Sequence, residues 1–221
     1  MVQQKQSVVT PERFAQGLTY AGYLEIVQKN RARFDENYAG TTVSAEDAAA
    51  LRDLASRPNG PAKLLVLGED WCPDVFRGMP VFARMAEAAG FELRIFNRDG
   101  QRFSRSQQPS LAEAPDSNAD LMAEFLNVKN GQSWQSIPVA VFYTTDLEYI
   151  AHFIERPQLA NDEVRTLLAP MYRRLRKPDM TPEERAEARA ENIAFQNGPV
   201  WANWRQETIR ECIALLRERV K

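Results

Sequence analysis

Residues 63–89 constrain the fold of this chain more than any other stretch. An apolar run, Leu64-Leu65-Val66-Leu67, ends in Gly68-Glu69-Asp70, and Trp71-Cys72-Pro73-Asp74-Val75 follows. From Phe76 to Ala89 the apolar residues recur at helical spacing, up to Gly90. A buried strand, a sharp turn bearing one cysteine and a helix opening on that turn define a thiol site. A helix N-terminus carries unpaired N–H groups and about half a positive charge. Both favour thiolate over thiol, so Cys72 is expected to be partly accessible, lowered in pKa and nucleophilic. A buried structural cysteine is the alternative for any free Cys.

The 221 residues are enough for one substantial core with additions. Net charge is −2, which gives no electrostatic reason to expect a nucleic-acid partner. No apolar run approaches the ~20 residues that span a bilayer, and Met1 to Thr10 is too polar for a secretory signal. With Cys72 and Cys212 the only cysteines there is no disulfide framework, so a reducing, cytoplasmic compartment is expected. No Cys/His set has metal-ligand spacing, so no metal is expected.

Residues 1–9 read as a loose tail, and Thr10-Pro11 as a helix start. Helical spacing continues to about Tyr38. Gly17 and Gly22 weaken it by about 1 kcal/mol each, with a break expected near Gly17. Ser44 opens a second helix, ended by Pro58-Asn59-Gly60-Pro61. Strands are expected at 62–67 and 91–96, parallel through a right-handed crossover, and at 139–143 and 147–154, antiparallel around Thr144-Thr145-Asp146. Pro80 should kink the helix between the first two strands. Residues 97–118 are polar and broken by Gly100, Pro109 and Pro115. Asn118 to Leu126 reads as a helix, 130–133 as a loop and Asn161 to Leu175 as a helix. Thr181-Pro182-Glu183-Glu184 and Pro199 open two more, broken at Asn197-Gly198-Pro199. Trp201 and Trp204 are costly to leave wet, so the last helices pack on the core or form a homodimer contact.

Several of these residues carry a family resemblance. Trp71 and Cys72 begin a Trp-Cys-x-x-Cys pattern, Pro80 falls eight residues after Cys72, and Ile137-Pro138 precedes the apolar run Val139 to Tyr143. In these features the chain resembles the thioredoxin superfamily, over roughly residues 60–170. Its wording, Glu69-Asp70-Trp71-Cys72-Pro73-Asp74 with Ser136-Ile137-Pro138 later, is similar to a poorly characterised bacterial group called thioredoxin family proteins. The resemblance implies an α/β fold: a thioredoxin-like mixed four-stranded sheet flanked by helices, with helical additions at both ends. The division expected is 1–59 as an N-terminal helical addition, 60–176 as the thioredoxin-like domain and 177–221 as a C-terminal helical extension. It also implies a cis bond at Ile137-Pro138, facing the thiol, and a ligand-binding role for Trp71, Pro73, Asp74, Val75, Ile137 and Pro138 around catalytic Cys72. Two departures matter. Val75 holds the second Cys position, and Val66 stands where classical thioredoxins keep a buried Asp that assists proton transfer.

Val75 decides the chemical class. A dithiol enzyme attacks with one thiolate and releases the mixed disulfide with the second. Here an external thiol such as glutathione would have to resolve it, because Cys212 lies among Ile213, Leu215 and Leu216 and reads as core. The leading expectation is a monothiol thiol–disulfide oxidoreductase acting on a protein or small-molecule thiol or disulfide, without a cofactor. A redox-inactive binding module for a peptide segment or small ligand is the alternative, and glutathione conjugation or peroxide reduction ranks last. Asp74 would oppose thiolate formation if close, or pair with Arg77. His152 reads as structural. Arg98, Arg102 and Arg105 read as a solvated face, with an anion or partner site near the thiol as the sharper alternative.

Overall fold

The computed structural model describes residues 7–100 and 106–221. Four strands form the central sheet: β1 (Lys63–Gly68), β2 (Glu92–Asn97), β5 (Val139–Tyr143) and β6 (Tyr149–Ile154), in the order β2-β1-β5-β6. β1 runs parallel to β2 and antiparallel to β5, which is antiparallel to β6. This is the expected mixed sheet. Leu64, Leu65, Val66 and Leu67 are fully buried, because β1 is central and covered on both faces.

Helix α5 (Pro73–Ala89) is the axis of the molecule. It packs on β1 and β2, and against α3 (Arg31–Ala39), α4 (Ala45–Ser56) and α9 (Pro199–Arg219). That is why nearly every side chain from Val75 to Ala83 is buried, Pro80 included. The helix continues through Pro80 and ends at Gly90, whose φ of +79° lies in the left-handed region that glycine tolerates. Gly68 is needed for a different reason: a Cβ there would sit 2.8 Å from Val75 Cγ1 and 2.7 Å from Met79 Cε.

The N-terminal segment forms three helices before α4: α1 (Pro11–Ala15), α2 (Tyr20–Ile26) and α3. Thr10, Thr19 and Ser44 each accept a backbone N–H and cap α1, α2 and α4. The break expected near Gly17 is present, and its cause is tertiary. Leu18 exchanges backbone hydrogen bonds with Ile95 of β2, and a Cβ on Gly17 would meet the Phe96 ring at 2.6 Å.

Four local expectations need correction. Of the expected loose tail, residues 1–6 lie outside the described residues, and residues 7–9 are held: Ser7 Oγ and Val8 N–H donate to the Glu124 carboxylate, and Val9 is buried. The helix expected from Asn118 shrinks to α6 (Ala119–Met122). Asn118 does not cap it, because its amide donates to Asn97 O and accepts from Arg13. Residues 130–133 are not a plain loop. Asn130 and Gly131 both have positive φ and join β3 (Asn127–Lys129) to β4 (Gln132–Trp134) as a tight hairpin. Its apolar members, Val128 and Trp134, are exposed, so no core-facing alternation announces it. Finally, Leu147 adopts φ +63° inside the turn, so β6 begins at Tyr149.

Helix α7 (Gln158–Leu175) follows β6. Then come α8 (Pro182–Gln196), with the expected capping box at Thr181, and α9, broken from α8 at residues 197–198. Trp201 and Trp204 are buried within the same chain. Trp204 Nε1 donates to Glu163 Oε2 at 2.6 Å, and Arg205 donates to Asn37 Oδ1 and Gly40 O at the end of α3. Among the described residues no helix is long and apolar enough to cross a membrane.

This packing makes α9 structural rather than appended. Trp204→Ala should cost about 3–5 kcal/mol in urea unfolding, whereas Trp134→Ala, on an exposed hairpin, should change stability by less than about 0.5 kcal/mol. Equal effects would place α9 outside the cooperative core.

Candidate functional site

The turn between β1 and α5 brings the thiol to the end of the sheet. Cys72 is the N-cap of α5, and its carbonyl accepts from Val75 and Phe76 N–H. Pro73 takes the first helical position, where no N–H is needed. Across from this turn the Ile137–Pro138 peptide is cis, as the family resemblance implies. Ile137 lies just before β5 and outside its ladder, and the Cys72 thiol donates to its carbonyl oxygen at 3.8 Å. Gly78 of α5 lets Pro138 approach, since a Cβ there would be 3.1 Å from Pro138 Cγ.

The expected lowering of the Cys72 pKa is not found. Burial comes first and the Asp74 carboxylate second, and together they push the thiol up to about 11. The N–H groups of Val75 and Asp74 oppose this without reversing it. The helix terminus alone favours thiolate, but a half-buried sulfur against the core, facing a carbonyl and a carboxylate, favours the proton.

Asp74 both pairs with Arg77 and works against the thiolate. Its Oδ1 lies 3.1 Å from Arg77 NH2 and its Oδ2 2.9 Å from Arg156 NH2. Burial still pushes Asp74 above the usual carboxylate range, against the two guanidinium groups. Arg77 is 1% exposed and sits over the rings of Trp201 and Trp204, 5.7 and 5.4 Å from their centroids. Arg156 also pairs with Glu155, and Glu155 with Lys129.

The sequence-predicted residues divide. Trp71, Cys72, Pro73 and Asp74 remain at least partly exposed on one turn, and Ile137 and Pro138, opposite them, are buried. The Val75 side chain is 0% exposed and packs inward, so it has no surface to offer a ligand. Cys212 is buried in α9, in keeping with its reading as core. His152 lies edge-on to Phe125, with Nδ1 2.7 Å from Tyr149 OH, a structural setting. Arg98 is not a solvated charge. It is 3% exposed, binds both Asp99 carboxylate oxygens and Gln135 O, and lies 5.5 Å from the Trp71 ring centroid. Arg102 and Arg105 lie outside the described residues.

The far side of Trp71 holds groups that sequence reading left without a role. Glu69 is buried, accepts the Asp99 N–H at 2.7 Å, and is pushed up to about 7, chiefly by burial. Tyr23, from α2, packs beside it. No local pattern pairs Tyr23 with Glu69; the fold of the N-terminal helices over β1 does.

A family model described as Thioredoxin matches residues 17–114. The match begins within the N-terminal helices and ends before Ile137. No curated protein matches the chain. Among solved structures, a protein of unknown function from Pseudomonas aeruginosa is similar, with 16% identity and a TM-score of 0.56. The alignment covers 95% of this chain and 98% of that one. An HIV epitope scaffold aligns at 15% identity and a TM-score of 0.54, over 95% of this chain and 99% of the scaffold. At these identities the likeness concerns the fold alone. The mixed sheet and the family match over residues 17–114 give this chain a thioredoxin-like fold.

Proposed function

We propose that this chain is a thioredoxin-fold binding module that docks an extended segment or small ligand on the face formed by Trp71, Cys72 and the Ile137–Pro138 step. The observation that carries this reading is the contact between Cys72 Sγ and Ile137 O at 3.8 Å. A carbonyl oxygen accepts from a thiol and repels a thiolate, so the resting cysteine is a hydrogen-bond donor rather than a nucleophile. Trp71 is 40% exposed beside it, a large amphipathic surface of the kind that anchors ligands. Ile137 lies outside the β5 ladder, and in this reading its carbonyl exchanges the Cys72 thiol for a backbone N–H of an added extended segment.

A second reading, monothiol thiol–disulfide exchange, is favoured by the partial exposure of Cys72. In that case a docking disulfide would displace the Ile137 carbonyl, the Cys72 sulfur would form a mixed disulfide, and an external thiol such as glutathione would resolve it. Val75 and Cys212 leave no internal alternative.

Alkylation separates the two. With a pKa of about 11 the Cys72 thiolate is about one part in ten thousand at pH 7. The rate with iodoacetamide, followed by mass spectrometry, should therefore keep rising about tenfold per pH unit past pH 9. A plateau below pH 8, or rapid adduct formation with oxidised glutathione at neutral pH, would overturn the binding-only reading in favour of exchange.

Asp74→Asn should lower the Cys72 pKa and shift the alkylation profile to lower pH, since it removes the carboxylate that most opposes the thiolate while Arg77 and Arg156 remain. It should also destabilise the fold by about 3 kcal/mol, because the buried Arg77 loses its counter-charge. The same alkylation profile and a urea melt check both effects.

A further inference from the structure

A cavity of about 420 Å³ opens on the other side of Trp71, between the end of α2 and the turns that follow β1 and β2. None of Cys72, Ile137 and Pro138 lines it. Its floor is Glu69 and Tyr23. Glu69 Oε1 takes the Asp99 N–H, and its Oε2 takes no hydrogen bond from a described residue. The Tyr23 side chain is 1% exposed, and its hydroxyl has no hydrogen-bond partner among the described residues. A buried, unpartnered hydroxyl is costly, and a ligand group is one way to satisfy it. The charges nearest that hydroxyl are Glu69 and Asp70, which puts it at the acidic end of the cavity.

Among the described residues Arg98 is the cation that acts on Glu69, and it offsets burial only in part. Asp99 is taken up by Arg98 in a two-bond ion pair. Asp70 Oδ2 accepts the N–H groups of Gln28 and Lys29, which fixes the loop after α2 as the cavity wall. Of the described residues lining the cavity, Lys29 is the only cation, and it is exposed. Ile26 and Val27 form an apolar side.

We propose that this cavity binds an organic cation, an alkyl chain ending in a guanidinium or ammonium head. The head donates to Glu69 and to the Tyr23 oxygen, and the stem lies along Ile26 and Val27. Such a head is N–H-rich and lacks acceptors, which matches a floor of acceptors. Burial pushes Glu69 up to about 7, so a cation settling on it displaces a proton and binds more tightly as pH rises. Asp70, Asp99, Arg98, Lys29 and Tyr23 are the other ionisable groups facing this site. The head can belong to a free small molecule or to a side chain of a protein segment, and the chemistry at Glu69 is the same.

Isothermal titration with butylguanidine and with acetyl-Gly-Arg-Gly amide tests the proposal and separates the two sources, with butylurea as the neutral isostere of the first. Saturable millimolar or tighter binding is expected for at least one cation, and the tighter one names the source. That binding should strengthen about tenfold between pH 6 and pH 8 and weaken at least about tenfold in Glu69→Gln. Tyr23→Phe should weaken it several-fold, and circular dichroism melts would show that both variants are folded. Cys72→Ser should leave it unchanged, so failure of the thiol-face reading and failure of this one are distinguishable. No saturable binding of either cation overturns the proposal. Equal binding of butylurea, or affinity unchanged by Glu69→Gln, also overturns it.

Discussion

One buried guanidinium organises the region around the thiol. Arg77 lies on α5, one helical turn beyond Cys72, with almost no exposure. Removing such a charge from water costs several kcal/mol unless partners replace the water. Here Asp74 and Glu155 O supply polar contacts from one side, and the faces of Trp201 and Trp204 cover the rest. Those partners come from the first turn of α5, the end of β6 and α9. The C-terminal helix is therefore tied to the environment of the cysteine through a single side chain.

Asp74 has two consequences that pull apart. It pairs with Arg77 and, together with Glu155, with Arg156, and in doing so it places a carboxylate beside Cys72. A helix N-terminus near a cysteine ordinarily activates it. In this chain the same first turn carries a largely buried carboxylate, and the sulfur sits against apolar side chains and a carbonyl. Burial and Asp74 outweigh the helix terminus, so the thiol keeps its proton. The second cysteine position, filled by Val75, is part of the packing under β1. Site and core are here one structure.

The N-terminal helices do for the other side of Trp71 what α9 does for Arg77. An aromatic path runs from Tyr23 to Phe34, Phe76, Trp201 and Trp204, with neighbouring ring centroids 5.7 to 6.3 Å apart. It links α2, α3, α5 and α9, and it ends at the cavity. The backbone bridge from Leu18 to Ile95 and the Asp70 contacts to Gln28 and Lys29 hold the segment in place. The chain thus offers two chemically different surfaces on either side of one tryptophan, a thiol face and a carboxyl cavity.

The sheet was legible in the residues because its signals are local. The unbroken apolar run of β1 marks a strand covered on both faces, and the turn after Tyr143 marks a hairpin. Thr10, Ser44 and Thr181 mark helix starts by a side-chain bond that spans three residues. Cys72 opposite Pro138 followed from a family pattern, since no local rule sets an X–Pro bond cis. The rest depended on residues far apart in the chain. Whether Cys72 is thiol or thiolate turns on how much water the fold removes and where it puts Asp74, Glu155 and the Ile137 carbonyl. The state of Glu69 turns on burial under α2, and the environment of Arg77 on helices more than a hundred residues away. Sequence alone determined the four strands of the central sheet and the capped helix starts, because backbone propensity and capping act within a few residues. The protonation of the site was decided by tertiary structure alone, because desolvation and Coulomb energies depend on distances that only the folded chain defines.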